Sequence, residues 1–122
     1  SSLITDLKEP LESAEYRLKI LAQDFRKAGE SVIQAVMNET AKRDDCRIAQ
    51  DNPEGVRISF DLQGGQDNGW LLLRLSVHDP VMPLNVESDI TGGSQTMLRI
   101  LYEMIKPFPE IDVTALANAL AI

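Results

Sequence analysis

"GWLLLRLSVHDPVMPLNVES", residues 69–88, contains two stretches, Trp70 to Leu73 and Leu84 to Glu87, that each read as a strand. Between them lie Arg74, Ser76 and the chain's only histidine, His78, followed by Pro80 and Pro83. Trp70 to Leu73 is apolar on both faces, the pattern of a central strand beneath helices. Leu84 and Val86 point inward from the second stretch. Pro80 marks the exit of the connection, and Pro83 limits ladder pairing where the second strand starts. A connection this short joins antiparallel strands, since a parallel pair needs a crossover of about a dozen residues or more.

Upstream, "VRISFD" alternates Val56, Ile58 and Phe60 with Arg57, Ser59 and Asp61, which is a half-buried strand. "QGGQDNG" joins it to Trp70. That loop contains Asp67 but no Lys or Arg and does not precede a helix, so a hairpin connection explains it better than a phosphate cradle. Earlier still, "EYRLKI" alternates Tyr16, Leu18 and Ile20 with Glu15, Arg17 and Lys19, a second half-buried strand. From Asp24 the period changes. Phe25, Ala28, Val32, Ile33, Val36 and Met37 fall on one helical stripe, with Asp24 as N-cap and Lys42 and Arg43 in the last turn, which predicts a helix over about 24–43. "DDCRIAQDNPEG" reads as a loop with at most a short strand at Cys46 to Ala49, closed by Asn52, Pro53 and Gly55.

Downstream, "TGGS" at 91–94 ends the sheet and opens a helix carrying Met97, Leu98, Leu101, Tyr102 and Ile105, stopped at Lys106-Pro107. The tail "IDVTALANALA" suits one short helix capped by Asp112. The order is β-α-β-β-β-α, and three consecutive strands with short connections predict an α+β fold of two layers: a mainly antiparallel four-stranded sheet with helices on one side. The expected boundaries are a linker or the end of a preceding domain at 1–12, the domain at 13–107 and a helical tail at 108–122.

Composition narrows the function. With 122 residues, 43% hydrophobic and 25% charged, the chain fits a single globular domain that buries roughly two thirds of its unfolded surface. No apolar run approaches the roughly 18 residues of a membrane span and no leader pattern opens the chain, so a cytoplasmic protein without a membrane partner is expected. One cysteine and one histidine exclude an internal disulfide and a zinc cluster built within the chain. A net charge of −7 opposes nucleic acid as a partner, because phosphate backbones are repelled on average. The chain starts on Ser1 and ends on the apolar "ALANALAI", and the expectation is a segment of a longer protein.

Alternation along a strand sends Arg74, Ser76 and His78 to one side. A planar guanidinium, a hydroxyl and the N–H groups of a tight turn suit a phosphate or carboxylate. The plainer account pairs Arg74 with a neighbouring carboxylate, bonds Ser76 to the turn backbone and leaves His78 without a role, and spacing alone favours it. Gly92-Gly93-Ser94 has the N–H groups for an anion at a helix start, although ordinary helix initiation explains them. Asp44-Asp45 and the pair Glu87 and Asp89 build no recognised metal or acid/base spacing, and Cys46 reads as a structural thiol.

Taken together, "EGVRISF", "GWLLLRLSVHDPVMPLNVESD" and the amphipathic helix that follows resemble the C-terminal domain of the α-D-phosphohexomutases, the phosphoglucomutase and phosphomannomutase family. The resemblance runs from about Ser13 to Pro107 and is most specific at 69–89. In that family a strand leads into an arginine and a loop written R-P-S-G-T-E-P or R-A-S-N-T-x-P. Here the loop is Arg74-Leu75-Ser76-Val77-His78-Asp79-Pro80, with Val77 in place of Gly or Asn and His78-Asp79 in place of Thr-Glu. The resemblance implies a fold like that of the TATA-binding protein and a loop that grips the phosphate not being transferred, after which the domain closes over the active site. Arg74 would supply the charged fork, Ser76 a hydroxyl, Val77 its N–H, and His78 would stand at the threonine position. It further implies hexose phosphate and hexose 1,6-bisphosphate as ligands, with preceding domains of the same chain carrying the phosphoserine, the sugar-recognition loop and the magnesium ion. This segment itself would hold no cofactor and catalyse nothing alone. The competing reading is a stand-alone or degenerate binding or regulatory module of the same fold.

Overall fold

The alternation of Tyr16, Leu18 and Ile20 becomes β1 (Glu12–Ile20) in the computed structural model, which describes residues 9–52 and 54–122. The strand begins at Glu12 rather than Glu15, because Glu12 and Ala14 continue the same alternation of sheltered and exposed positions. Of the expected linker at 1–12, residues 1–8 lie outside the described residues, as does Pro53 of the expected turn.

The helical stripe becomes α1 (Phe25–Ala41), with Asp24 Oδ1 accepting the Lys27 N–H at 3.1 Å as an N-cap does. It buries Ala28, Gly29, Val32, Ile33, Val36 and Thr40. The helix ends at Ala41, short of the expected Arg43. Lys42 is its C-cap and pairs with Glu39, while Arg43 leaves the helix to form a two-pronged pair with Asp45, both bonds 2.9 Å.

Four strands follow: β2 (Cys46–Asn52), β3 (Gly55–Phe60), β4 (Gly69–Arg74) and β5 (Val81–Ser88). Then come α2 (Gly93–Ile105), β6 (Ile111–Asp112) and α3 (Thr114–Ala119). The sheet is antiparallel, in the order β2-β3-β4-β5-β1-β6. It therefore has six strands, where the sequence pattern implied four, and the added ones are its edges. β2 has few apolar residues and is interrupted between Ile48 and Gln50 by a register shift that breaks its alternation. β6 pairs only Ile111 and Asp112 with the end of β1, too short to leave a pattern. Asp112 bonds the Thr114 N–H at 2.9 Å at the start of α3, close to its expected capping role, although Val113 occupies the cap position.

The helices cover one face of the sheet. Leu18, Ile58, Phe60, Leu71, Leu73, Met82 and Leu84 from the strands meet Ile33, Met97, Leu98, Leu101 and Ile105 from α1 and α2 in one core, to which α3 adds Leu116. Each such fully buried side chain stabilises by roughly 1.5–3 kcal/mol relative to exposure. β4 is apolar on both faces, yet helices cover only one of them. Leu71 and Leu73 are fully buried beneath the helices, whereas Trp70 and Leu72 are half-buried on the open face. Trp70 is sheltered there by Arg57, whose guanidinium lies 4.1 Å from the ring centroid.

Glu12 ties the start of β1 to α2. Its two carboxylate oxygens accept the N–H groups of Gly92 (2.8 Å) and Ser94 (2.9 Å), and these bonds hold its pKa below the usual carboxylate value. Because the folded-state pKa is depressed, the stability it contributes is present above the unfolded-state value and is lost as pH falls through the folded one. Glu12→Gln is expected to destabilise the protein by ~1 kcal/mol at pH near 7, in line with loss of a helix cap, and by less in acid. Urea unfolding of both proteins at neutral and acidic pH measures this, and a difference that stays constant with pH overturns the role.

Candidate functional site

Arg74 ends β4 on the open face, and Leu75 turns back into the core, where its Cδ1 lies directly against Gly29 of α1. A Cβ built on Gly29 would come within 2.5 Å of that methyl group, so the glycine is what lets Leu75 seat. The Leu75 N–H donates to Glu54 O at 2.8 Å, fixing the chain on its other side. With Leu75 anchored, its neighbours Arg74 and Ser76 both face away from the helices.

The hairpin continues past the strand ends, with the Ser76 N–H donating to Val81 O at 3.1 Å. Only Val77 to Pro80 remain as connection, so the segment is a regular hairpin with a four-residue loop. Inside it the Asp79 N–H approaches Ser76 Oγ at 3.4 Å and the Val81 N–H donates to Asp79 O at 2.7 Å. The N–H groups of Val77 and His78 have no partner among the described residues. Val77 is 58% exposed, unusual for a valine, and the His78 side chain is exposed.

Pro83 was expected at the start of the second strand, but it sits inside β5, opposite Arg17. The Ile20 N–H bonds Pro80 O at 2.8 Å, which makes Leu18 and Met82 the next hydrogen-bonded pair and leaves Arg17 and Pro83 unbonded. The Pro83 nitrogen therefore points toward β4 and has no N–H to offer it, and the β4–β5 ladder stops at the neighbouring pair of Leu73 with Leu84.

Of the sequence-derived site residues, the structure brings Arg74 and Ser76 to one face. Val77 and His78 stand on the loop, where strand alternation no longer applies. The Arg74 guanidinium makes no ion pair or hydrogen bond among the described residues, so it is not the neutralised arginine of the plainer account. Ser76 does bond the turn backbone, as that account has it. Arg74 forms the ridge between two grooves. One, of about 370 Å³, includes Glu54, Gly55, Arg57, Leu72 and Val77 in its lining. The other, of about 490 Å³, includes Glu15, Arg17, Pro83, Asn85 and Ala115. Arg17 and Arg57 were not singled out in the sequence. They reach this surface through strand register that spans most of the chain.

The other candidates are occupied by their own neighbours. The loop at 61–68 uses its donors internally: Asn68 holds Leu62 through N–H···O bonds of 2.7 and 2.9 Å, and Arg47 pairs with both Asp61 and Asp67. The Gly92-Gly93-Ser94 helix start is filled by the Glu12 carboxylate. Asp45 is held below the usual carboxylate range by Arg43. Cys46 is buried, and desolvation pushes its thiol pKa up to about 11, so little nucleophilic thiolate is present near neutral pH. Among the described residues no group of three or more His, Cys, Asp or Glu is placed to hold a metal ion. No helix among them is long and apolar enough to cross a membrane. No protein-family model matches the chain, and no curated protein matches it.

Proposed function

We propose that the chain is the C-terminal, phosphate-binding domain of an α-D-phosphohexomutase, with a TATA-binding-protein-like sheet, acting as part of a longer cytoplasmic isomerase. The observation that carries this reading is Arg74, an exposed guanidinium without a partner among the described residues, beside the Ser76 hydroxyl and the free N–H groups of Val77 and His78. Such a donor set suits a phosphate monoester: the guanidinium fork takes two oxygens and the loop N–H groups a third.

In this reading the domain positions rather than reacts. A hexose phosphate held by its distal phosphate presents its hydroxyl to the phosphoserine of a preceding domain. Orientation of this kind can supply several kcal/mol of a barrier, and closure of the domain keeps water from the transfer. The magnesium ion and the sugar-recognition loop belong to the preceding domains, and this segment contributes no cofactor ligand.

The test is a titration of the domain with inorganic phosphate, followed through the backbone amide signals of residues 74–80. Weak, fast-exchange shifts confined to that hairpin are expected, because the partner domains that complete the site are absent. Shifts centred elsewhere overturn the site, and saturation at micromolar phosphate overturns its dependence on partner domains. A parent gene that encodes this domain alone overturns the mutase reading and leaves a phosphate-binding module.

A further inference from the structure

Among the described residues, the lysines and arginines without an ion pair are unevenly placed. Lys27 and Arg99 belong to the helices, whereas Arg17, Lys19, Arg57 and Arg74 all stand on the open face of the sheet. Lys19 is opposite Asp112 on β6, and Arg57 stacks on Trp70. Arg17 and Arg74 remain.

Register brings these two together. Arg17 on β1 is opposite Pro83 on β5, and Arg74 is the position on β4 that follows the last pair, Leu73 with Leu84, so Arg17, Pro83 and Arg74 lie side by side across three strands. Two strand spacings separate their Cα atoms by about 10 Å, a gap that two arginine side chains can close from either side. Pro83 projects only a flat ring between them. Both arginines line the same groove of about 490 Å³. Its one carboxylate, Glu15, accepts a bond from Asn85 Nδ2 at 2.8 Å and forms no ion pair with either arginine.

We propose that Arg17 is the second cation of the anion site, so that a phosphate monoester dianion is held between the guanidiniums of Arg17 and Arg74 above Pro83. The proposal rests on the phosphate reading of Arg74 and deepens it. A paired site prefers a dianionic phosphate to a carboxylate, because two guanidinium charges are matched by a double negative charge and left half unmatched by a single one. It also gives Pro83 a role, since a long side chain there would fill the space the anion takes.

The test uses the 122-residue chain at low ionic strength, titrated with hexose 6-phosphate and separately with inorganic phosphate, while the Nε–H signals of Arg17 and Arg74 are followed. Both signals should move with one apparent dissociation constant, and Arg17→Gln should weaken the binding read at Arg74 by about tenfold, as loss of a charge-assisted hydrogen bond does. Arg99→Gln, which removes the same charge from the helix layer, should leave binding unchanged. If Arg74→Gln weakens binding and Arg17→Gln does not, the Arg17 proposal falls and the Arg74 reading stands. If neither signal moves, both fall. Equal weakening by Arg99→Gln reduces the effect to net charge and overturns the pair, as does saturation of the two signals at different concentrations.

Discussion

Gly93→Ala is expected to destabilise the protein by about 3 kcal/mol, a large part of the stability of a domain of this size. The reason is close approach rather than backbone conformation. A Cβ on Gly93 would lie 1.9 Å from Ser88 Oγ, 2.8 Å from Ser88 Cβ and 2.9 Å from Leu62 Cδ1. Leu62 can rotate away. Ser88 cannot, because it is 1% exposed and its hydroxyl both donates to Ile90 O (2.7 Å) and accepts the Ile90 N–H (3.0 Å). Relief requires either breaking those two bonds, at about 1 kcal/mol each, or lifting α2 off the end of β5. For a chain of this length the loss lowers Tm by roughly 10 °C. Urea and thermal unfolding measure it, and a change under about 1 kcal/mol refutes the packing argument. Ser88→Ala in the same chain removes the worst contact, so the double variant should be more stable than the sum of the single losses implies.

The same glycine shows what the sequence made legible. "TGGS" marked the end of the sheet and the start of a helix, and α2 does begin at Gly93. Its reason, contact with Ser88 on β5 and Leu62 on the β3–β4 loop, is a tertiary fact with no local signature. The pattern holds elsewhere. β1, β3 and α1 were legible because periods of two and 3.6 report burial directly. β2 was underestimated because it is a polar edge strand with a register shift, and β6 because two residues carry no period. β4 reads as apolar on both faces for a physical reason: Leu71 and Leu73 pack beneath the helices, while Trp70 and Leu72 are half-buried on the open face, where Arg57 stacks on Trp70.

The candidate site divides the same way. Alternation places Arg74 and Ser76 together because hairpin pairing extends to Ser76 and Val81. It fails for His78, which lies in the four-residue loop. Arg17 is separated from Arg74 by most of the sheet's sequence, and only the pairing of β1 with β5 brings them to one groove. The outward face of "EYRLKI" did announce Arg17, but not the strand it would stand beside.

Arg74→Ala in the parent enzyme that the proposed function requires is expected to lower kcat/KM by about 2 kcal/mol, a factor of roughly thirty, mainly through a raised KM for the sugar phosphate. Because Arg74 is exposed and without a partner among the described residues, stability should change by no more than about 0.5 kcal/mol, which separates a binding role from a structural one. Arg74→Lys keeps the charge but replaces the planar fork with a point donor, so it should fall between the wild type and the alanine variant. The loss should shrink at high salt, since an open groove on a sheet face is screened by mobile ions. Unchanged kinetics in Arg74→Ala remove the loop from the phosphate site. Equal losses in Arg74→Ala and Arg74→Lys would assign the whole effect to the planar fork and overturn the share expected from charge alone.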